Sequence, residues 1–259
     1  YQVIVIGVDD PMINKQIIRR ELLTTNQGKS LDAESLANNF AIYKSIKDYN
    51  LKKIITFHSR IKNASEFAGN FEDVINLLPE SERNIKELTC QNISGLMKTS
   101  DRNRIITSFK KNDNYCKILT NAKCLSEGVD IPELDGIAFI DPKKSQVDII
   151  QAVGRAIRKS SEKKIGSIII PVYLGDTENI EEELFNSRFK EVWKIILALK
   201  SQDDYLTEVI DKMRVDLGSN RFNQNDLKKI IFDMPQKLNP IFSKALKPLL
   251  VKNTSESWI

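Results

Sequence analysis

Apolar residues follow two rhythms along this chain. Short runs rich in Val, Ile and Phe, bounded by polar or turn residues, recur at Val3 to Val8, Lys53 to Phe57, Glu87 to Ile93, Lys117 to Thr120, Gly136 to Ile140 and Ser167 to Leu174. They have the length and β-branched content of buried strands. Between them, at about 12–25, 32–49, 61–78, 101–110 and 145–159, apolar residues return every three or four positions, the period of a helix that buries one face. Strands alternating with helices of this length predict right-handed βαβ units and a mostly parallel sheet with helices on both faces. The fold class is α/β.

After Asp176 the strand rhythm stops, and the pattern predicts amphipathic helices near 178–200, 203–217, 224–233 and 240–251. Phe185, Phe189, Val192, Trp193 and Ile196 fall at helical spacing and read as a packing face. No internal repeat or low-complexity linker separates the two parts. The expected organisation is therefore an α/β domain over 1–175 and an all-helical appendage over 176–259 that packs against it.

Composition narrows the function classes. With 41% hydrophobic and 29% charged residues among 259, the chain reads as a soluble globular protein. Its apolar runs fall far short of the roughly 18 residues that a membrane span needs. The opening Tyr1-Gln-Val-Ile-Val-Ile-Gly7 reads as a core strand, not a signal peptide, and the missing initial Met suggests a piece of a longer protein. Three cysteines, Cys90, Cys116 and Cys124, form no C-x-x-C pair, and His58 is the single histidine. A disulfide framework and a zinc site are thereby disfavoured, and a cytoplasmic location is expected. Up to Gly175 the chain has 26 Lys and Arg against 21 Asp and Glu, a surplus of +5; beyond it the numbers are 13 and 14. The surplus is compatible with a nucleic-acid surface or with an ordinary solvated face.

Two short segments carry the chemistry. Gln151-Ala-Val-Gly154-Arg155-Ala-Ile-Arg158 places its polar and small members at i, i+3, i+4 and i+7, one stripe of a helix, while Ile150, Val153 and Ile157 point toward a core. Gly154 inside a helix costs about 1 kcal/mol relative to Ala, which makes sense where a phosphate or a facing domain approaches the backbone. By itself the stripe is equally an exposed arginine-rich turn. Upstream, Ile118 to Glu133 ends a strand and continues through Glu127-Gly128-Val-Asp130-Ile-Pro132, where Gly128 permits close approach and Asp130 suits sugar hydroxyls or a plain turn. Gly28-Lys29-Ser30 is no phosphate-binding P-loop, because Leu23 stands where a glycine is needed and a helix pattern precedes it. The chain has no D-E-x-x box either.

Read together, the two segments resemble motifs V and VI of the superfamily 2 helicases and translocases. Lys53-Ile-Ile-Thr-Phe-His58-Ser59-Arg60 resembles motif IV, and Ile93-Ser94-Gly95 with Thr99 to Arg102 and Phe109 resembles the element that follows it. Residues 50–172 thus look like the second RecA-like domain of such an enzyme, with Tyr1 to Asp10 as its entering strand. The resemblance implies an ATP-dependent enzyme, DEAD/DEAH-like, whose first RecA-like domain holds the P-loop, the Mg²⁺ and much of the ATP. It implies that Arg155 and Arg158 act as arginine fingers. Gln151, Gly154, Glu127, Gly128 and Asp130 are implied on the nucleotide side.

Ligands of open α/β sheets bind beyond the carboxyl ends of the strands. His58, Ser59, Arg60, Ser94, Gly95, Thr120, Asn121 and Lys123 stand at three such ends and are the candidate nucleic-acid contacts. For His58 and Arg60 a plain strand-end role is the alternative. Ala122 stands where many relatives have threonine, so a phosphate contact there passes to Thr120 or Asn121 or is absent. Cys124 to Pro132, Asp141-Pro-Lys-Lys-Ser and Gly166 to Val172 look most like restriction-type DNA translocases, and Gln151 leans the same way. DNA is the expected partner, along with the first RecA-like domain. The alternative is a non-catalytic nucleic-acid-binding module that retains the fold.

Overall fold

A computed structural model describes residues 1–8, 23–24, 30–85, 87–122, 134–141, 153, 166–173, 189–201, 203–219 and 229–235. Seven strands form one sheet in the order β5-β6-β4-β7-β8-β1-β9, and every neighbouring pair is parallel. They are β1 (Gln2–Val8), β4 (Lys53–Phe57), β5 (Leu88–Ser94), β6 (Cys116–Ala122), β7 (Gly136–Phe139), β8 (Ser167–Tyr173) and β9 (Ile230–Asp233). A two-stranded antiparallel hairpin, β2 (Leu23–Thr24) and β3 (Ser30–Leu31), stands apart. The helices are α1 (Ala33–Tyr49), α2 (Ile61–Ile75), α3 (Thr99–Lys110), α4 (Phe189–Lys200) and α5 (Asp204–Gly218).

The connections explain how the helices divide. From β1 through β4 to β5 the chain moves one way along the sheet, and from β5 to β9 it moves back. Right-handed crossovers that reverse direction must lie on opposite faces. Accordingly α1 and α2 pack on one face with Ile4, Ile6, Ile54, Ile118 and Ile169. Helices α3, α4 and α5 cover the other, with Val3, Val5, Ile55, Leu119 and Ile168. Alternate residues of β1 enter alternate cores, the period-2 signature of a sheet buried on both sides. Among the described residues no helix is long and apolar enough to cross a membrane.

Local chemistry sets the element ends. Asp32 caps α1 by accepting a hydrogen bond from the Ser35 N–H (2.7 Å), and Asn50 ends it in the left-handed region at φ 51°. At the amino edge of the sheet two buried lysines satisfy the last carbonyls of α3. Lys117 Nζ donates to Ser108 O (2.9 Å) and Lys111 O (3.0 Å), and Lys53 Nζ to Lys110 O (3.1 Å). Cations there also complement the negative end of the helix dipole. The hydrogen bond from Lys117 holds the Asp113 carboxyl below its usual range.

Two sequence expectations are corrected. Leu23 and Thr24, placed in a helix over 12–25, are extended and pair with Leu31 and Ser30. Ile230–Asp233, the last positions of the helix expected over 224–233, form β9 instead and pair with β1 from Val3↔Ile230 to Ile6↔Asp233, while 224–228 lie outside the described residues. The tail therefore supplies the edge strand of the sheet and is not all-helical. The open edge of β1 offers backbone partners that an isolated apolar run cannot foresee, and tertiary pairing overrides a weak periodicity. Charges pin both ends of β9: Lys229 bonds Asp203 and lies 4.3 Å from the Tyr1 ring centroid, while Asp233 accepts from Lys44 and Tyr49. Gly7 admits the turn after β9, since a Cβ there would sit 2.4 Å from Met234 Sδ. Helices α4 and α5 do form, and Ile196 is fully buried as the packing face requires. Phe185, the side chains of Phe189, Val192 and Trp193, and the helix expected over 240–251 lie outside the described residues.

Candidate nucleic-acid interface at the carboxyl edge of the sheet

Strands β5, β6, β4 and β7 are neighbours and parallel, so their carboxyl ends form one row. At about 4.8 Å per strand the row is roughly 15 Å long. It brings together Ser94 and Gly95, Asn121 and Ala122, His58 to Arg60, and Ile140 and Asp141. The rungs continue past the strands: the His58 N–H donates to Asn121 O (2.9 Å) and the Ile140 N–H to Phe57 O (3.2 Å).

Not every candidate on this row faces outward. His58 is 4% exposed, its ring packs on Phe67 with centroids 5.2 Å apart, and Nε2 lies 2.9 Å from Thr56 Oγ1 in a shared hydrogen bond. Burial drives its pKa down to about 4, and the nearby Asp141 carboxylate only partly offsets that. The ring is neutral and turned into the α2 face. Thr120 is fully buried; its hydroxyl donates to Ala64 O (2.8 Å) and lies 3.0 Å from Asn92 Oδ1. Its strand continues to Ala122, two residues past the expected end, which is why the side chain is enclosed. Ser94 and Asn121 are also buried, at 5% and 1% exposure. Arg60 and Gly95 are exposed and Ser59 is partly so.

Two helices begin on the row. Helix α2 has Arg60 at its N-cap and α3 has Lys98, and neither has a side-chain cap. The contrast is α1, capped by Asp32. A cation at the positive end of a helix is unfavourable alone, and the first backbone N–H groups lack an intrahelical acceptor. An anion at either start would relieve both costs. Between them the turn Gly95-Leu96 stands out from the surface, Leu96 at 84% exposure.

Asp141, at the end of β7, was not among the candidates. Its Oδ2 accepts a short hydrogen bond from the Ser59 hydroxyl and one from Asn63 Nδ2 (2.7 Å). Thus β7 is tied to the turn between β4 and α2. Only a strand-end Asp followed by Pro142 marked the position in the sequence, and nothing there pairs it with Asn63.

Lys123, Glu127, Gly128, Asp130, Gln151, Gly154, Arg155 and Arg158 lie outside the described residues. Val153, inside that last segment, is helical, 4% exposed and part of the core on the α3 face, as its expected inward orientation requires. Among the described residues no group of His, Cys, Asp and Glu could hold a metal ion. Burial pushes the Cys90 thiol well above its ordinary range.

The parallel sheet with helices on both faces is a RecA-like α/β fold. Residues 38–160 match the family model described as the helicase conserved C-terminal domain. The DNA-bound ATP-dependent Type ISP restriction-modification enzyme LlaBIII superposes with a TM-score of 0.74 at 28% identity, over 97% of this chain and 17% of that one. A protein described as a probable helicase of African swine fever virus (isolate Tick/South Africa/Pretoriuskop Pr4/1996) is 32% identical over 124 residues, 45% of this chain and 14% of its own. A killer-plasmid helicase of Kluyveromyces lactis is 25% identical over 219 residues, 83% of this chain and 35% of its own. The chain thus spans a minor part of each relative.

Proposed function

We propose that this chain is the C-terminal half of an ATP-dependent DNA helicase or translocase of restriction type. It would supply one wall of the ATP cleft and part of the nucleic-acid path. The observation that carries the reading is the row of four strand ends bearing two helix starts with Arg60 and Lys98 at their N-caps, within a helicase C-terminal domain. Backbone N–H groups and basic side chains suit phosphates, which position a strand without reading its sequence. DNA is favoured over RNA because the enzyme that superposes with a TM-score of 0.74 is bound to DNA.

On this reading Arg60, the Gly95 turn and Lys98 meet the nucleic acid, and Ser59, Ser94, Asn121 and Lys123 border it. His58 and Thr120 support the row from beneath. Arg155 and Arg158 would reach ATP phosphates held with Mg²⁺ by an N-terminal RecA-like domain of the same polypeptide. Gln151, Gly154, Glu127, Gly128 and Asp130 would line the nucleotide. The organisation over 1–175 and 176–259 becomes, in the same proposal, a motor domain whose tail is built into its sheet through β9.

The test uses the complete enzyme. Arg155→Ala or Arg158→Ala should reduce DNA-stimulated ATP hydrolysis by about 10³ to 10⁵ while ATP still binds. Unchanged turnover would overturn the arginine-finger assignment, and stronger stimulation by RNA than by DNA would overturn the choice of partner.

A further inference from the structure

A carboxylate is out of place on a surface that attracts phosphates, yet Asp141 stands at the end of β7 within the row. One oxygen, Oδ2, takes both the Ser59 hydroxyl proton and the Asn63 amide proton, two donors that flank Arg60 in the sequence. Ser59 lies just before the α2 N-cap and Asn63 in the first helical turn, so the pair brackets the helix start.

Two consequences follow. With its only proton committed to Asp141, the Ser59 hydroxyl has none to give a phosphate, so the donors left at this turn include the Arg60 guanidinium, the second N–H of the Asn63 amide and the backbone N–H groups of the first turn of α2. Arg60 is exposed and without a side-chain cap bond, so its backbone direction rests on the residues around it. Hydrogen bonds to a charged acceptor are the stronger kind, and two on one oxygen fix a turn that backbone pairing alone leaves at the strand end.

We propose that Asp141 is a positioning residue for nucleic-acid engagement: through Ser59 and Asn63 it sets the turn that aims Arg60 and the start of α2 at a phosphate. This rests on the nucleic-acid reading above. Asp141 also begins the stretch that leads through residues 142–150 to Gln151, Arg155 and Arg158, so the same carboxylate joins the nucleic-acid turn to the strand from which the nucleotide-facing segment departs.

The experiment measures binding of fluorescein-labelled oligothymidylate by anisotropy over a range of salt concentrations, with thermal unfolding recorded for every variant. Asp141→Ala should weaken binding about tenfold, and Ser59→Ala should weaken it in the same direction with a smaller fold-change. Asp141→Asn, which can place its amide oxygen where Oδ2 stands, should recover most of the affinity. Arg60→Ala should weaken binding and lower the salt slope by about one. The deciding measurement is the double variant: in the Arg60→Ala background Asp141→Ala should add little, since it acts through Arg60, whereas a general loss of fold would add its full effect.

If wild type binds and Arg60→Ala weakens it but Asp141→Ala and Ser59→Ala do not, the positioning role is wrong and the nucleic-acid reading stands. If the effects of Asp141→Ala and Arg60→Ala add fully, Asp141 does not act through Arg60 and the proposal is wrong. If wild type does not bind the oligonucleotide, both readings fall. Should Asp141→Ala not fold, Ser59→Ala alone and combined with Arg60→Ala gives the same decision.

Discussion

Acid should destabilise this protein through one identifiable group. His58 is the single histidine of the chain, and burial against Phe67 lowers its pKa from 6.5 to about 4 in the folded state. In the unfolded chain it returns to about 6.5. Below that pH the unfolded state binds a proton that the folded state refuses, so stability is fully present above about 6.5 and falls as pH drops. The loss levels off near 4, where the folded ring is protonated too. A difference of that size is worth about 3 kcal/mol at the acid end, a large share of the 5–15 kcal/mol typical of a domain.

The assay is urea unfolding at a series of pH values for wild type and for His58→Gln, which cannot titrate in this range. Carboxylates titrate in both proteins, so the difference between the two profiles isolates the imidazole. Wild type should lose stability relative to His58→Gln between pH 6.5 and 4. With one histidine, the imidazole proton resonance can be followed in the folded protein without assignment ambiguity. A folded-state midpoint near 6.5, or parallel stability profiles, would refute the reasoning and return His58 to the surface.

Thr120→Val should cost about 1–3 kcal/mol, because the buried carbonyl of Ala64 loses its donor, yet leave the salt slope of oligonucleotide binding unchanged; a changed slope would mark Thr120 as a contact after all. Gly7→Ala forces a methyl group within 2.4 Å of Met234 Sδ and 3.2 Å of Pro235, and should destabilise by about 1–3 kcal/mol. Hydrogen exchange should show β9 losing protection first, and uniform protection would contradict the role given to Gly7.

The sequence by itself determined the strands and helices whose partners are dictated by their own pattern. Runs such as Val3 to Val8 and Ser167 to Leu174 are apolar on both sides, so they can only be interior strands of a sheet covered on two faces. The placement of the candidate residues at the carboxyl edge followed from that topology, and Ser59, Arg60 and Gly95 stand at those strand ends and are at least partly exposed. What tertiary structure alone decided concerns partners far apart in the chain. Ile230 to Asp233 is a strand because the edge of β1 was open and because Lys229 and Asp233 find Asp203, Lys44 and Tyr49. His58 and Thr120 turn inward because Phe67 and the Ala64 carbonyl, both on α2, wait there. Asp141 meets Ser59 and Asn63 across more than seventy positions. Periodicity reports which face of an element is buried, because that depends on neighbours in sequence; it is silent on which charge or hydroxyl faces which, because that is set only when the elements pack.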